Sequence, residues 1–202
     1  MATRFEYRNV EVDGDDGPIV QGFSAIIPSE GLTVMVGPSG AGKTTLLRLL
    51  NRLDDPDDGE VLFEGRDVRD YNVLELRRRV QLVGQMPVTF PGTVEDNVGP
   101  DARELLTRVG LDPEMATRQA DVLSVGEAQR MCLARSLALK PEVLALDEPT
   151  SALDTGSKAG IERLIRDLAD SGLTVVMVSH DPRHADLANR AIEVHPRHGG
   201  AR

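Results

Sequence analysis

Apolar and β-branched residues gather along this chain in short runs, separated by acidic and glycine-rich turns, a pattern that predicts buried strands. Residues 32–36, 80–84, 143–146 and 174–178 are such runs, and 191–194 reads as a last, shorter strand. Helical spacing fills the intervals: residues 43–52, 74–79, 101–109, 113–121 and 123–139 are predicted helices. In 157–169 the apolar positions Ile161, Leu164, Ile165 and Leu168 share one face, and a further helix is predicted to start at Asp181-Pro182. Ser124 is a good N-cap and Glu127, three residues on, completes a capping box, while Pro141 marks the far end of that helix. The beginning differs. Residues 5–12 and 19–27 read as strands joined by the turn 13–18, with no helix before 32–36, which predicts an antiparallel sheet; 60–64 adds a short strand. Residues 86–99 carry Pro87, Pro91, Gly92 and Gly99 and are predicted irregular. Strands alternating with helices predict a parallel sheet with ligands at its carboxyl ends.

One stretch stands out against this pattern. Gly37-Pro38-Ser39-Gly40-Ala41-Gly42-Lys43-Thr44-Thr45 follows a buried strand and opens a helix, matching the phosphate-binding loop G-x-x-x-x-G-K-[ST]. Its glycines permit a tight loop with inward N–H groups, and the helix N-terminus adds partial positive charge. In such a loop Lys43 reaches the β- and γ-phosphates, Thr44 offers its hydroxyl to Mg²⁺, and Ser39 and Thr45 lie beside the phosphates.

Composition narrows the field. The 202 residues suffice for one core plus a small lobe, and a net charge of −10 argues against loose attraction to nucleic acid or anionic lipid. Lysine occurs only at 43, 140 and 158 against abundant Asp, a surface suited to concentrated salt. No run is long and apolar enough to span a membrane, and the first residues lack the apolar segment of a secretory signal. The single cysteine, Cys132, lies in an apolar helical stretch and reads as packing in a reducing compartment. The acidic loop 54–59 lacks calcium-loop spacing, Arg77-Arg78-Arg79 reads as a solvated face, and His195 and His198 lie in a Gly-rich tail read as unstructured rather than metal-binding.

Four polar residues fall at or just beyond the carboxyl ends of buried strands: Gln85, Asp147, Glu148 and His180. Asp147 behind four apolar residues suits a carboxylate that holds Mg²⁺, and Glu148 a general base that orients water. Gln85 and His180 are weak alone and gain weight from the order of the motifs.

With that order, phosphate loop, Gln85, Leu123-Ser124-Val125-Gly126-Glu127, Asp147-Glu148, Ser151-Ala152-Leu153-Asp154, His180, the sequence resembles the nucleotide-binding subunits of ATP-binding cassette (ABC) transporters over essentially its whole length. The resemblance implies an α/β P-loop NTPase fold of the ABC ATPase type: a mixed sheet core, an N-terminal antiparallel β region and a short α-helical subdomain. Core would be roughly 1–85 and 140–202, with the helical part roughly 86–139; only 37 residues separate Gln85 from Leu123, so that part should be compact. It implies ATP and Mg²⁺ as ligands, with Mg²⁺ at Thr44, Gln85 and Asp147. Catalysis would fall to Glu148, His180, Lys43 and Gln85. Nucleotide contacts would come from Gly37, Ser39, Gly40, Ala41, Gly42, Lys43, Thr44 and Thr45, and from Ser124, Gly126 and Glu127 of a second copy. Two copies would thus sandwich two ATP molecules head to tail, with Asp154 at their interface. A separate membrane permease would dock near residues 86–98, where Val88, Phe90 and Val94 offer apolar contacts. The chain would sit in the cytoplasm on the inner face of the cell membrane, and nucleic acid would not be a partner.

Three departures qualify the match. Val125 and Glu127 stand where the family has Gly and Gln, and no aromatic residue lies in 10–14 to stack on adenine, Tyr7 being a distant substitute. The compact helical part and Leu123-Ser124-Val125-Gly126-Glu127 resemble small two-component systems, which implies a small inorganic or metal ion as the transported substrate. The rival readings are a soluble cassette ATPase of cluster assembly or DNA maintenance and a module that binds ATP without hydrolysing it.

Overall fold

The computed structural model describes residues 2–15 and 17–195. Two sheets form. The first, with strand order β2-β1-β4-β5, is antiparallel and built from β1 (Thr3–Gly14), β2 (Gly17–Pro28), β4 (Asp58–Phe63) and β5 (Arg66–Asp67). The second, with order β6-β7-β8-β3-β9, is wholly parallel and uses β3 (Gly31–Val36), β6 (Val80–Val83), β7 (Val143–Asp147), β8 (Thr174–Ser179) and β9 (Arg190–Glu193). Strand directions are therefore mixed between sheets and not within one.

The layers follow from which way the side chains of the parallel strands point. Along β8, Val176 and Val178 join the core beneath the antiparallel sheet, together with Phe5, Tyr7, Phe63 and the leucines of α1 (Lys43–Leu49). Val175 and Met177 join the opposite core with α5 (Val125–Ala138) and α6 (Thr155–Asp170). A strand covered on both faces has to be apolar at every position, which is why these runs show no alternation. So α1 is sandwiched between the sheets, and α3 (Val94–Val98), α4 (Ala102–Arg108) and α5 gather on the other side. The sheets are also tied at one edge: Arg79 at the end of α2 (Val73–Arg79) pairs with Glu64 (2.7 Å) and Glu142 (2.5 Å), and Arg4 pairs with both acids.

Several expectations need correcting. Residues 86–99 are not irregular throughout, because Thr93 and Asp96 form a reciprocal capping box that starts α3. The helices expected at 113–121 and from 182 are 3-10 turns, Pro113–Thr117, Ala120–Val122 and Pro182–Leu187; bonds three residues back close them, as from Met115 N–H to the Asp112 carbonyl (3.0 Å) and from His184 N–H to the Asp181 carbonyl (3.1 Å). α1 stops at Leu49, three residues early, and α6 starts at Thr155 because Asp154 caps it by accepting from Gly156 and Ser157 N–H. The arginines 77 and 79 are not a solvated face. Arg77 donates to the carbonyls of Asn51 and Arg52, and Arg79 lies over the Phe63 ring at 4.5 Å. Val94 is fully buried, so Met86, Val88 and Phe90 are the exposed apolar residues of that segment. Tyr7 is buried as well, its hydroxyl donating to the Leu46 carbonyl at 2.9 Å, and offers no ring to a ligand.

Candidate functional site

The carboxyl ends of β3, β6, β7 and β8 open into one cleft of about 660 Å³. It is lined by Ile19, Ser39, Gly40, Gly42, Lys43, Thr44, Thr45, Gln85, Glu148 and His180. The loop at its floor has the backbone that its glycines allow. Gly37 sits where a Cβ would stand 2.1 Å from the Val194 carbonyl oxygen, so only glycine lets β3 leave the sheet beside the end of β9. Gly42 is the N-cap of α1 at φ 85°, with β2 pressed against it. Ala41 is buried behind the loop and packs in the core rather than lining the cleft.

Lys43 is buried, and its ammonium donates to the carbonyls of Gly37 (2.8 Å) and Pro38 (2.9 Å), folding back over the loop. Its Nζ lies 4.0 Å from a Glu148 carboxylate oxygen. Thr44 Oγ1 donates to Asp147 Oδ1 at 3.0 Å. Burial pushes the Asp147 carboxyl up, opposed by the Thr44 bond, and the neighbouring Glu148 charge adds to the push. A hydroxyl and a desolvated carboxylate side by side are the hard oxygen donors that Mg²⁺ takes, and the charge on Asp147 would gain from a cation. Among the described residues no group of three or more His, Cys, Asp or Glu could hold a metal ion.

Glu148 is held in the left-handed region at φ 48°. Its N–H donates to the Val178 carbonyl and its own carbonyl accepts from Ser151 Oγ at 3.0 Å, which fixes the strained turn. That conformation aims the carboxylate at His180, whose Nδ1 is 2.5 Å from Glu148 Oε2. Gln85 Nε2 donates to the same Ser151 hydroxyl at 3.1 Å, so Gln85, Ser151 and Glu148 form one chain of contacts. Ser151 enters the sequence reading only as the start of the motif 151–154, with no role of its own; Ile19, an apolar residue just after the Gly17-Pro18 turn, is not singled out there.

Ser124, Gly126 and Glu127 do not line this cleft. They form the N-terminus of α5, where the Glu127 carboxylate accepts from Ser124 N–H (2.8 Å) and Ser124 Oγ (2.7 Å) and is held below the usual carboxylate range by those bonds. Gly126 stands close to α6: a Cβ there would lie 3.3 Å from Ser157 Oγ.

This geometry has counterparts. A family model described as ABC transporter matches residues 20–151. The chain belongs to the ABC transporter family. Protein STAR1 of Oryza sativa subsp. japonica is 45% identical over 94% of this chain and 60% of its own length. The Fe(3+) ions import ATP-binding protein FbpC 1 of Rhodococcus jostii (strain RHA1) is 42% identical over 90% of this chain and 58% of its own. The chain thus spans about three fifths of these ABC relatives. Among solved structures, the ATP-binding cassette MJ0796, a dimer bound to ADP and Pi, superposes with a TM-score of 0.82 at 29% identity, covering 94% of each chain. CbiO1 from Clostridium perfringens, part of the ABC transporter complex cbiONQ, gives 0.84 at 25% identity, over 96% of this chain and 85% of that one. Among the described residues no helix of this ABC protein is long and apolar enough to cross a membrane.

Proposed function

We propose that this chain hydrolyses ATP and drives a separate membrane permease, resting on the inner face of the membrane. The observation that carries this reading is the convergence, around one phosphate loop, of Lys43, the Thr44–Asp147 pair and the Glu148–His180 pair. In this reading Lys43 leaves the carbonyls of its own loop for the β- and γ-phosphates. Glu148 takes the proton of the attacking water and His180 holds that carboxylate in place and faces the γ-phosphate. Thr44 and Asp147, with Gln85 across the cleft, would hold Mg²⁺, whose contribution is neutralising phosphate charge.

A cleft without Ser124, Gly126 and Glu127 supports a composite site, in which a second copy presents the N-terminus of its α5. The dimeric state of the MJ0796 relative supports the same arrangement. The permease surface is the shallow groove of about 210 Å³ beside Met86, Val88, Cys132 and Arg135, with Phe90 exposed under the Arg135 guanidinium. Relatives named for iron(III) and phosphate import support a small inorganic ion as cargo, and support transport over the soluble-ATPase rival.

Glu148→Gln tests the reading. It should lower ATP turnover by at least about 100-fold, as removal of a general base does, and with Mg-ATP should double the particle mass in light scattering. Unchanged turnover would favour the non-hydrolysing module, and a particle that stays single at saturating nucleotide would remove the composite site.

A further inference from the structure

His180 stands one residue beyond the parallel ladder, whose last pairs along β8 are Val36 with Ser179 and Asp147 with Val178. Its ring is more than half exposed, yet its Nδ1 has to stay 2.5 Å from Glu148 Oε2. The sheet does not hold it there; its two neighbours do. Ser179 Oγ accepts the Asp181 N–H at 3.0 Å, which folds the chain tightly around His180. Each neighbour is then gripped from α6. Lys158 Nζ donates to Asp181 Oδ2 at 2.9 Å. His184, 4% exposed, reaches from Ser179 Oγ on its Nδ1 (2.7 Å) to Glu162 Oε1 on its Nε2 (2.9 Å).

The partners assign the roles. A carboxylate only accepts, so His184 Nε2 donates to Glu162, and Nδ1 accepts from the Ser179 hydroxyl, which keeps a lone pair for the Asp181 N–H. The order Ser179, His184, Glu162 is also that of a nucleophile and its base, but Ser179 is 2% exposed and beyond the reach of a substrate. Support is what remains. Lys158 and Glu162 lie one turn apart on one face of α6, Nζ to Oε1 3.9 Å. The neighbouring face of that helix is anchored in the core by Ile161, Leu164, Ile165 and Leu168. Groups bonded to an anchored helix are placed more precisely than groups carried by a free loop.

We propose that His184 and Lys158 are positioning residues for His180: they tie the loop that carries it to two points of α6 and so keep its ring on the Glu148 carboxylate. The claim rests on the ATPase reading above. Neither residue lines the phosphate cleft, so each acts through His180. A shift of about 1 Å in a group that orders the reacting atoms can cost about 100-fold in rate. A ring that drifts from Glu148 therefore loses turnover, while the phosphate loop that binds nucleotide is untouched.

The test is Mg-ATP turnover by the full chain, in variants shown by denaturant unfolding to be folded under the assay conditions. His184→Leu is expected to lower kcat about tenfold and Lys158→Met about threefold, each with KM within about twofold of the parent. Lys158 is partly exposed, so its variant keeps the fold even where His184→Leu does not. His184→Gln, whose amide keeps a donor for Glu162, and Lys158→Arg, which keeps the ion pair, are expected to recover most of the loss. In a His180→Ala background, read by single turnover, His184→Leu should change nothing further. A kcat equal to the parent's in the folded variants, a KM that rises by the same factor, or a loss as large without His180 as with it overturns the proposal and leaves the ATPase reading standing. A parent chain without turnover sinks the ATPase reading itself.

Discussion

At the scale of single residues, chemistry is bought with awkward conformations. Glu148 holds a positive φ, and Gly37 passes so close to the Val194 carbonyl that no Cβ would fit. Sequence shows Gly37 because the whole loop motif announces it, but nothing local announces the turn at Glu148, which is fixed by Val178 and Ser151 from other parts of the chain. Asp181, next to His180, gives a residue-scale prediction. The Arg183 side-chain bond and then Lys158 hold its carboxyl well below the usual range. A depressed folded-state value means the contribution to stability is present above about pH 4, the unfolded value, and is lost as pH falls through the folded one. Asp181→Asn should therefore lower the urea midpoint at pH 7, and the difference from the parent chain should begin to shrink as pH falls below about 4. Equal midpoints at pH 7 would show that the ion pairs contribute nothing.

At the scale of elements, the central strands are legible because apolar or β-branched residues dominate each of them, and the helices with strong caps are legible from equally local signals. Short elements were not. α3 depends on a four-residue capping box inside a Pro- and Gly-rich stretch, and the 3-10 turns differ from α-helices in closing on the residue three back, a choice the same capping residues do not reveal. The contact between α6 and the His180 loop was also invisible: buried His184 lies 2.7 Å from Ser179 Oγ and 2.9 Å from Glu162 Oε1. It joins residues 22 and 5 apart in sequence, a spacing with no motif. His184→Leu should cost about 1–3 kcal/mol in denaturant unfolding, since it strips a hydrogen-bond partner from half-buried Glu162. Combined with Glu162→Gln the loss should be less than additive, because both remove one contact. Full additivity would mean that the two side chains do not act together.

At the scale of the whole molecule, the cleft is assembled by a topology in which α1 lies between two sheets and four strands end on one side. The order of motifs along the chain conveys that convergence, and the lack of a stacking aromatic in 10–14 is legible there too; the burial of Tyr7 is not. The end of α5 behaves differently from the rest of the site. Its backbone and serine donors already hold an anion, the Glu127 carboxylate, with Arg118 Nη1 at 3.8 Å as a partial counterweight. Should this surface meet the γ-phosphate of a twin, one negative group must yield its seat to another. Glu127→Gln should then lower the nucleotide concentration at which Glu148→Gln chains pair, an effect that light scattering would read and that an unchanged threshold would refute. A resident placeholder of this kind would work as a latch: it keeps α5 tidy while the chain is alone, and it would let twins close only on a ligand able to evict it.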